Sequence, residues 1–349
     1  MKQYRNRWRC LTGSLLLTIF FTGCGGKQEN LAAGIQAIKD LDYQGAVEKF
    51  EEALSLGEDS RQVARGMGIA YMGMADYEQA ALYFEEALSL SLGVVESVDY
   101  DINYYLAAAY TKGNRYNEAE AVYDSILALK ENEKEAYFLR GNIRLELFRY
   151  EDAKGDFDKA IGLNPKDFDQ LIQIFEVLNN HGYKEAGQLY LQTAMQNYEA
   201  QMSAYDKGRI YFYLEEYQQA CLALEMAREK GGAEAYIYLG KAYEATGDYN
   251  YASSVYQSYI SAQGAHAQMY NQLGLCELKK GDYQKALEAF QAGIQVEPND
   301  ILQTLSFNEI VAYEYLGDYK KAAVFLESYL NTYPDDFVAQ REYGFLNTR

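Results

Sequence analysis

The chain has little of what metal sites and catalytic centres are usually built from. Its 349 residues include only 2 histidines, 4 cysteines, 3 prolines and 1 tryptophan. Two histidines leave little room for imidazole-based metal chemistry. Four cysteines are too few for a disulfide framework. Positive charge is also scarce, with 32 Lys and Arg against 51 Asp and Glu, a net charge of −19. A field that negative repels phosphate backbones and disfavours nucleic acid as a partner. What is plentiful is tyrosine, 35 residues of it, in a chain that is 49% hydrophobic and therefore not disordered.

The one run of positive charge opens the chain. Lys2, Arg5, Arg7 and Arg9 precede an apolar stretch from Leu11 to Phe21, followed by Thr22-Gly23-Cys24-Gly25-Gly26. A basic segment followed by a short apolar one has the form of a secretory signal, and the apolar run is about half the ~20 residues a spanning helix needs. Thr22-Gly23 before Cys24 resembles the lipobox of bacterial lipoproteins, with Phe21 standing where leucine is usual. That resemblance implies cleavage after residue 23, a diacylglyceryl group on the Cys24 thiol, and a spacer over residues 24–29. Two acyl chains anchor stably where one is marginal. The implied location is the extracytoplasmic side of a bacterial cell membrane or outer membrane.

The remainder repeats. Tyr43, Tyr77, Tyr116, Tyr150, Tyr183, Tyr217, Tyr249, Tyr283 and Tyr319 follow one another at intervals of 32 to 39 residues, most often 34. Three residues after each stands alanine, from Ala46 and Ala80 to Ala286 and Ala322, with Ala186 in the fifth unit. Seven residues after each stands a large side chain: Phe50, Phe84, Tyr123, Phe157, Tyr190, Leu224, Tyr256, Phe290 and Leu326. Nine before most stands glycine, at Gly34, Gly68, Gly141, Gly208, Gly240 and Gly274, while Ala107, Ile174 and Ile310 replace it in the third, fifth and ninth units. All three prolines, Pro165, Pro298 and Pro334, share a later position. The apolar spacing of three and four within each unit is helical. In Gly247-Asp248-Tyr249 and its counterparts at 281–283 and 317–319, glycine can close one helix and aspartate cap the next.

This pattern resembles the tetratricopeptide repeat, a helix–turn–helix of 34 residues with Gly, Tyr, Ala, Phe and Pro at fixed places. The resemblance covers residues 27–336 and implies an all-α, right-handed solenoid of about nine repeats. Residues 337–349 read as the first helix of a tenth unit that caps the array. Five extra residues, Val95 to Asp99, imply a longer loop or a bend between the second and third units.

No catalytic or metal constellation emerges, so neither an enzyme nor a cofactor is expected. His181 and His266 fall in turns. Asp99-Tyr-Asp101-Ile-Asn103 starts like a calcium loop, but Tyr104 stands where the glycine belongs. Cys221 and Cys276 read as buried small apolar residues on different units.

In the resembled family the first helices line a concave groove that takes segments of other proteins. Carried onto this chain, the groove positions include Tyr104, Tyr105, Phe138 and Asn142. Further along they include Tyr205, Arg209, Phe212, Tyr213, Tyr238 and Lys241, with Arg209 and Lys241 as neighbouring cations. Aromatics with a few polar groups are the common make-up of interface hot spots. The Lys, Asn and Arg set that some members use for a terminal carboxylate is replaced here by Leu31, Ile35 and Gly66. The implied function is a lipid-anchored scaffold or adaptor that binds proteins. The alternative is a surface lipoprotein whose aromatic groove binds glycans, and an assembly factor for envelope or pilus components is a narrower form of the first.

The anchor has a direct test. A fatty-acid analogue fed to expressing bacteria should label the wild-type protein and not Cys24→Ala. Label retained on the substituted protein would remove the lipoprotein reading.

Overall fold

In a computed structural model, the structure describes residues 28–346 except Leu92, Val94 and Glu229. The leader, Cys24 and the last three residues lie outside the described residues. These are all-helical, and divide into two compact units at Phe148 and Arg149. No helix among them is long and apolar enough to cross a membrane.

The first unit holds α1 (Glu29–Lys39), α2 (Tyr43–Ser55), α3 (Ser60–Gly73), α4 (Tyr77–Ser89), α5 (Ser97–Lys112), α6 (Tyr116–Leu129) and α7 (Lys134–Glu146). The second opens with α8 (Tyr150–Leu163), α9 (Phe168–Asn180), α10 (Lys184–Tyr198), α11 (Ala204–Tyr213), α12 (Tyr217–Ala227) and α13 (Gly232–Ala245). It continues with α14 (Tyr249–Gln263), α15 (Ala267–Lys280), α16 (Tyr283–Ile294), α17 (Leu302–Tyr315), α18 (Tyr319–Thr332) and the final α19 (Phe337–Leu346). Odd-numbered helices up to α17 are the first helices of the repeats and even-numbered ones the second. Within each unit the elements stack as the helix hairpins that the repeat pattern implied, and α19 packs on α18 as the expected extra C-terminal helix.

Steric fit explains the repeat. The framed alanines Ala46, Ala80, Ala119, Ala153, Ala220, Ala252, Ala286 and Ala322 are wholly buried. Phe50, Phe84, Phe157, Leu224, Tyr256, Phe290 and Leu326 are too. A methyl group placed on Gly34 would overlap the Phe50 ring; on Gly68, Phe84; on Gly208, Leu224; on Gly240, Tyr256; on Gly274, Phe290. Each glycine is thus the hole for the large side chain of its own hairpin. Gly66 meets the same Phe50 ring from the next repeat, so one ring locks two hairpins.

The turns are equally regular. Leu41, Ala75, Asn114, Phe148, Gly182, Glu215, Gly247, Gly281 and Gly317 all have positive φ, between 58° and 87°. Each left-handed residue ends a first helix, and at eight of the nine the next N–H reaches back five residues, as Asp76 N does to the Tyr71 carbonyl and Asp248 N to Tyr243. Five of the nine are not glycine and carry the cost of a Cβ in that region. Asp248 and Asp318 cap their helices as expected, accepting from Tyr251 N and Lys321 N. Asp282 makes no cap bond and binds Lys285 Nζ at 3.1 Å instead.

Two sequence expectations need correction. In the fifth repeat α10 starts at Lys184, not Tyr183, and its frame is shifted by one residue. Gly187 and Leu191 are buried, whereas Ala186 and Tyr190 are only partly so. The left-handed Gly182 lies two residues before Lys184, the same offset as in every other repeat. Here the roles are exchanged: Gly187 of the second helix is the hole, and Phe175 of the first helix lies against it at 3.0 Å from a Cβ. At the insertion, Ser97 to Asp99 form the first turn of α5 rather than a loop. Asp99 accepts from the Glu96 N–H at 2.7 Å. The longer connection runs over residues 90–96.

Gly and Ala therefore have opposite values at two kinds of site. Gly274→Ala forces a Cβ into the Phe290 ring and should cost about 1–3 kcal/mol despite the better helix propensity of alanine. Ala75→Gly relieves a left-handed Cβ and should stabilise by about 1 kcal/mol. Urea denaturation checks both signs; the same sign for both would break the steric account.

Candidate protein-binding groove

Within each unit, first helices of successive hairpins touch one another: α1 with α3 and α3 with α5, then α9, α11, α13, α15 and α17 in turn. Second helices lack comparable contacts, so the first helices form the closer-packed, inner layer of each stack.

In the first unit this layer carries Tyr104 and Tyr105 on α5, and Phe138 and Asn142 on α7. Tyr105 is half-buried, stacked on Phe84 at 5.5 Å with the Arg65 guanidinium 5.7 Å from its ring centroid. Tyr104 is tilted on Tyr123 at 6.2 Å; burial first, then Glu133 and Glu135, pushes its phenol well above the usual tyrosine range. Phe138 and Asn142 are each only 8% exposed. They belong to the layer between helices more than to an open surface.

In the second unit the layer is a cluster of five rings from three helices. Phe175 of α9 lies 5.1 Å from Tyr213 of α11. Phe212 meets Tyr213 and Tyr238 edge-on at 5.5 and 5.6 Å, and Tyr205 meets Tyr238 at 6.4 Å. Edge-to-face pairs of this kind add to their burial energy. The Tyr213 hydroxyl donates to Glu176 Oε1 at 2.6 Å and lies 2.9 Å from the Tyr238 hydroxyl. Tyr213 is buried, while Tyr205, Phe212 and Tyr238 are half-buried and keep part of each ring at the surface.

The expected open cation is not there. Arg209 donates to Asp169 Oδ1 and to Asp206 Oδ1, both at 2.6 Å, and covers the Tyr205 ring at 4.4 Å. Burial works against its charge, but the bonds to the two aspartates outweigh that and hold the guanidinium above the usual arginine range. One acid sits three residues back on α11, the other on α9. Arg209 is thus a clamp between repeats rather than a docking charge. Lys241 is half-buried on α13.

Sequence reasoning missed Asp169, Asp206 and Glu176. It also missed a second set of clamps in the first unit, where Arg61 pairs with Glu96 and Asp99, and Arg65 with Asp101. For the pairs between repeats, opposite charges 35 to 40 residues apart, about one repeat, are the signal that could have found them. Cys221 and Cys276 are buried free thiols, as expected. His181 ends α9, with Nδ1 2.9 Å from the Val177 carbonyl oxygen. No group of three His, Cys, Asp or Glu among the described residues is placed to hold a metal ion.

Profiles described as tetratricopeptide repeat match residues 65–133, 134–167, 205–263, 267–300 and 307–336, together well over half of the chain. BBSome complex member BBS4 of Bos taurus is 27% identical over 146 residues, 41% of this chain and 28% of that protein. The chain thus matches little more than a quarter of that relative's length. Among solved structures, a tetratricopeptide repeat protein from Parabacteroides merdae ATCC 43184 is 15% identical, covering 82% of this chain and 99% of that one, with a TM-score of 0.48. Yeast Tom70 is 14% identical over 86% of this chain and 84% of its own, TM-score 0.49. MamA (41-end) from Desulfovibrio magneticus RS-1 is 18% identical over 52% of this chain and all of its own, TM-score 0.42. These likenesses concern the fold alone.

The ring cluster should make the protein sensitive to alkali. Burial raises the phenols of Tyr213 and Tyr238, and brings Tyr205 to about 12. A phenol raised on folding keeps its full contribution below the unfolded value near 10 and loses it as pH climbs from there. The melting temperature should hold between pH 7 and 9 and fall above about pH 10, with a shallower fall in Tyr213→Phe. Circular dichroism melts check this; an equal slope in Tyr213→Phe would contradict it.

Proposed function

As the chain belongs to the tetratricopeptide repeat family, we propose that it is a non-catalytic scaffold that binds segments of other proteins on its first helices. The observation that carries this is the ring cluster on α9, α11 and α13. Tyr205, Phe212 and Tyr238 offer rigid aromatic surface on one inner layer, and such rings bury much area at little entropic cost. The Tyr238 hydroxyl is held beside that of Tyr213, which Glu176 binds, and Arg209 covers the Tyr205 ring, so the surface is preorganised. With Arg209 neutralised by two aspartates, recognition rests on aromatic contact more than on charge.

The second part of the proposal is location. The lipobox-like Thr22-Gly23-Cys24 following a basic, apolar leader supports a diacylglyceryl tether on the outer side of a bacterial membrane. Tethering would raise the local concentration of a bound partner at that surface.

The experiment is a crosslinked capture from native membranes, followed by binding of the recovered partner to the full chain. Phe212→Ala with Tyr238→Ala should weaken binding by about 2 kcal/mol or more, with little dependence on salt. Unchanged binding by a double variant that keeps its helical content would reject the ring cluster as the site. A glycan array that binds the protein where peptides do not would replace the protein-binding reading.

A further inference from the structure

The shifted frame of the fifth repeat has a second consequence, on the side of the second helices. Because Gly187 and Leu191 of α10 turn toward α9, Ala186 and Tyr190 face α8 instead. α8 offers room on that side: a methyl group added at Gly162 would meet no atom within 4 Å. α8 touches α9 only sparsely, as α10 does α11, whereas α12 with α13, α14 with α15 and α16 with α17 pack extensively. What remains between α8, α9 and α10 is a cleft of about 360 Å³. That is the lower end of the range for small-ligand sites.

It is lined by the rings of Tyr150, Tyr190 and Tyr198 and by the apolar side chains of Ile161, Leu171 and Ala194. Asp158 is the one carboxylate lining it, and both of its oxygens are engaged. Oδ2 is 2.7 Å from Lys154 Nζ, and Oδ1 accepts from the Tyr190 hydroxyl at 2.6 Å. The Thr193 hydroxyl donates to the Leu189 carbonyl at 2.7 Å. An ammonium has three donors, so Lys154 keeps N–H groups to spare. Lys166 places a second ammonium 6.0 Å from the Tyr198 ring centroid. Two ammoniums thus stand against one carboxylate that already accepts two bonds, and this excess of positive charge and spare donors favours an anion over an amine. We propose that this cleft binds an aromatic carboxylate, with the ring between the tyrosines and the carboxylate at Lys154 and Lys166. A free aromatic acid and the C-terminal aromatic residue of a peptide present the same chemistry.

Ligand-observed NMR titration of the full chain tests this with three probes: N-acetyl-L-tryptophan, N-acetyl-L-tryptophanamide and indole-3-propionate. The acetylated acid should bind saturably and the amide at least tenfold more weakly. Tighter binding of the acetylated acid than of indole-3-propionate assigns a peptide terminus; equal or weaker binding assigns a free acid. Gly162→Leu fills the cleft where a side chain has room, and should weaken binding at least tenfold with an unchanged melting curve. Gly155→Leu, on the same helix but outside the lining, should leave binding as it is. Lys154→Gln with Lys166→Gln should erase the preference for acid over amide. Absence of saturable binding by any probe, equal binding of acid and amide, or undiminished binding by Gly162→Leu would each overturn the proposal.

Discussion

A large side chain of the second helix filling the gap left by a glycine of the first is the contact on which the rest depends. It fixes how closely the two helices approach, and the buried alanine at the crossing fixes where. Phe50 against Gly34 and Gly66 shows how the same contact also joins one hairpin to the next. Five hairpins close this way, at Gly34, Gly68, Gly208, Gly240 and Gly274, and within each unit the first helices lie side by side so that their outward residues form a common surface. The left-handed residue before each second helix is the other half of the constraint. It sets the reversal of the chain, and its cost is accepted even by Leu41, Phe148 and Glu215.

The binding surface follows from that geometry. In the second unit, rings from α9, α11 and α13 meet because residues one repeat apart are neighbours in space. The same rule places Asp169 beside Arg209, and Asp101 beside Arg65. These pairs are partly buried and tie successive first helices together, so the charges one would read as docking groups are largely occupied with holding the array. What stays available is aromatic.

Most of the fold was legible in the sequence because its determinants are steric and local. A glycine, an alanine and an aromatic at fixed offsets leave a mark that survives in one chain. The fifth repeat was misread for a related reason. Tyr183 and Ala186 imitate the frame, while the structure uses Lys184, Gly187 and Leu191. Gly182 was the available signal, since a turn residue two positions before the second helix requires Lys184 at its start. The site was less legible. Tyr104, Tyr105, Tyr205, Phe212 and Tyr238 lie on the inner layer as the resemblance implied. Arg209 could not be judged from its own helix, because one of its partners, Asp169, lies 40 residues away and its burial depends on packing. Phe138 and Tyr213 are aromatic at the right frame position yet buried, a distinction that periodicity does not make.

The central claim is that partners dock on the first helices of the second unit, across the rings of α9, α11 and α13. Hydrogen–deuterium exchange of the full chain, free and with a partner captured from native membranes, addresses it most directly. The account predicts that slowed exchange on binding concentrates in α9, α11 and α13. Slowing confined to second helices such as α12 and α14, or to the 90–96 connection, would contradict it.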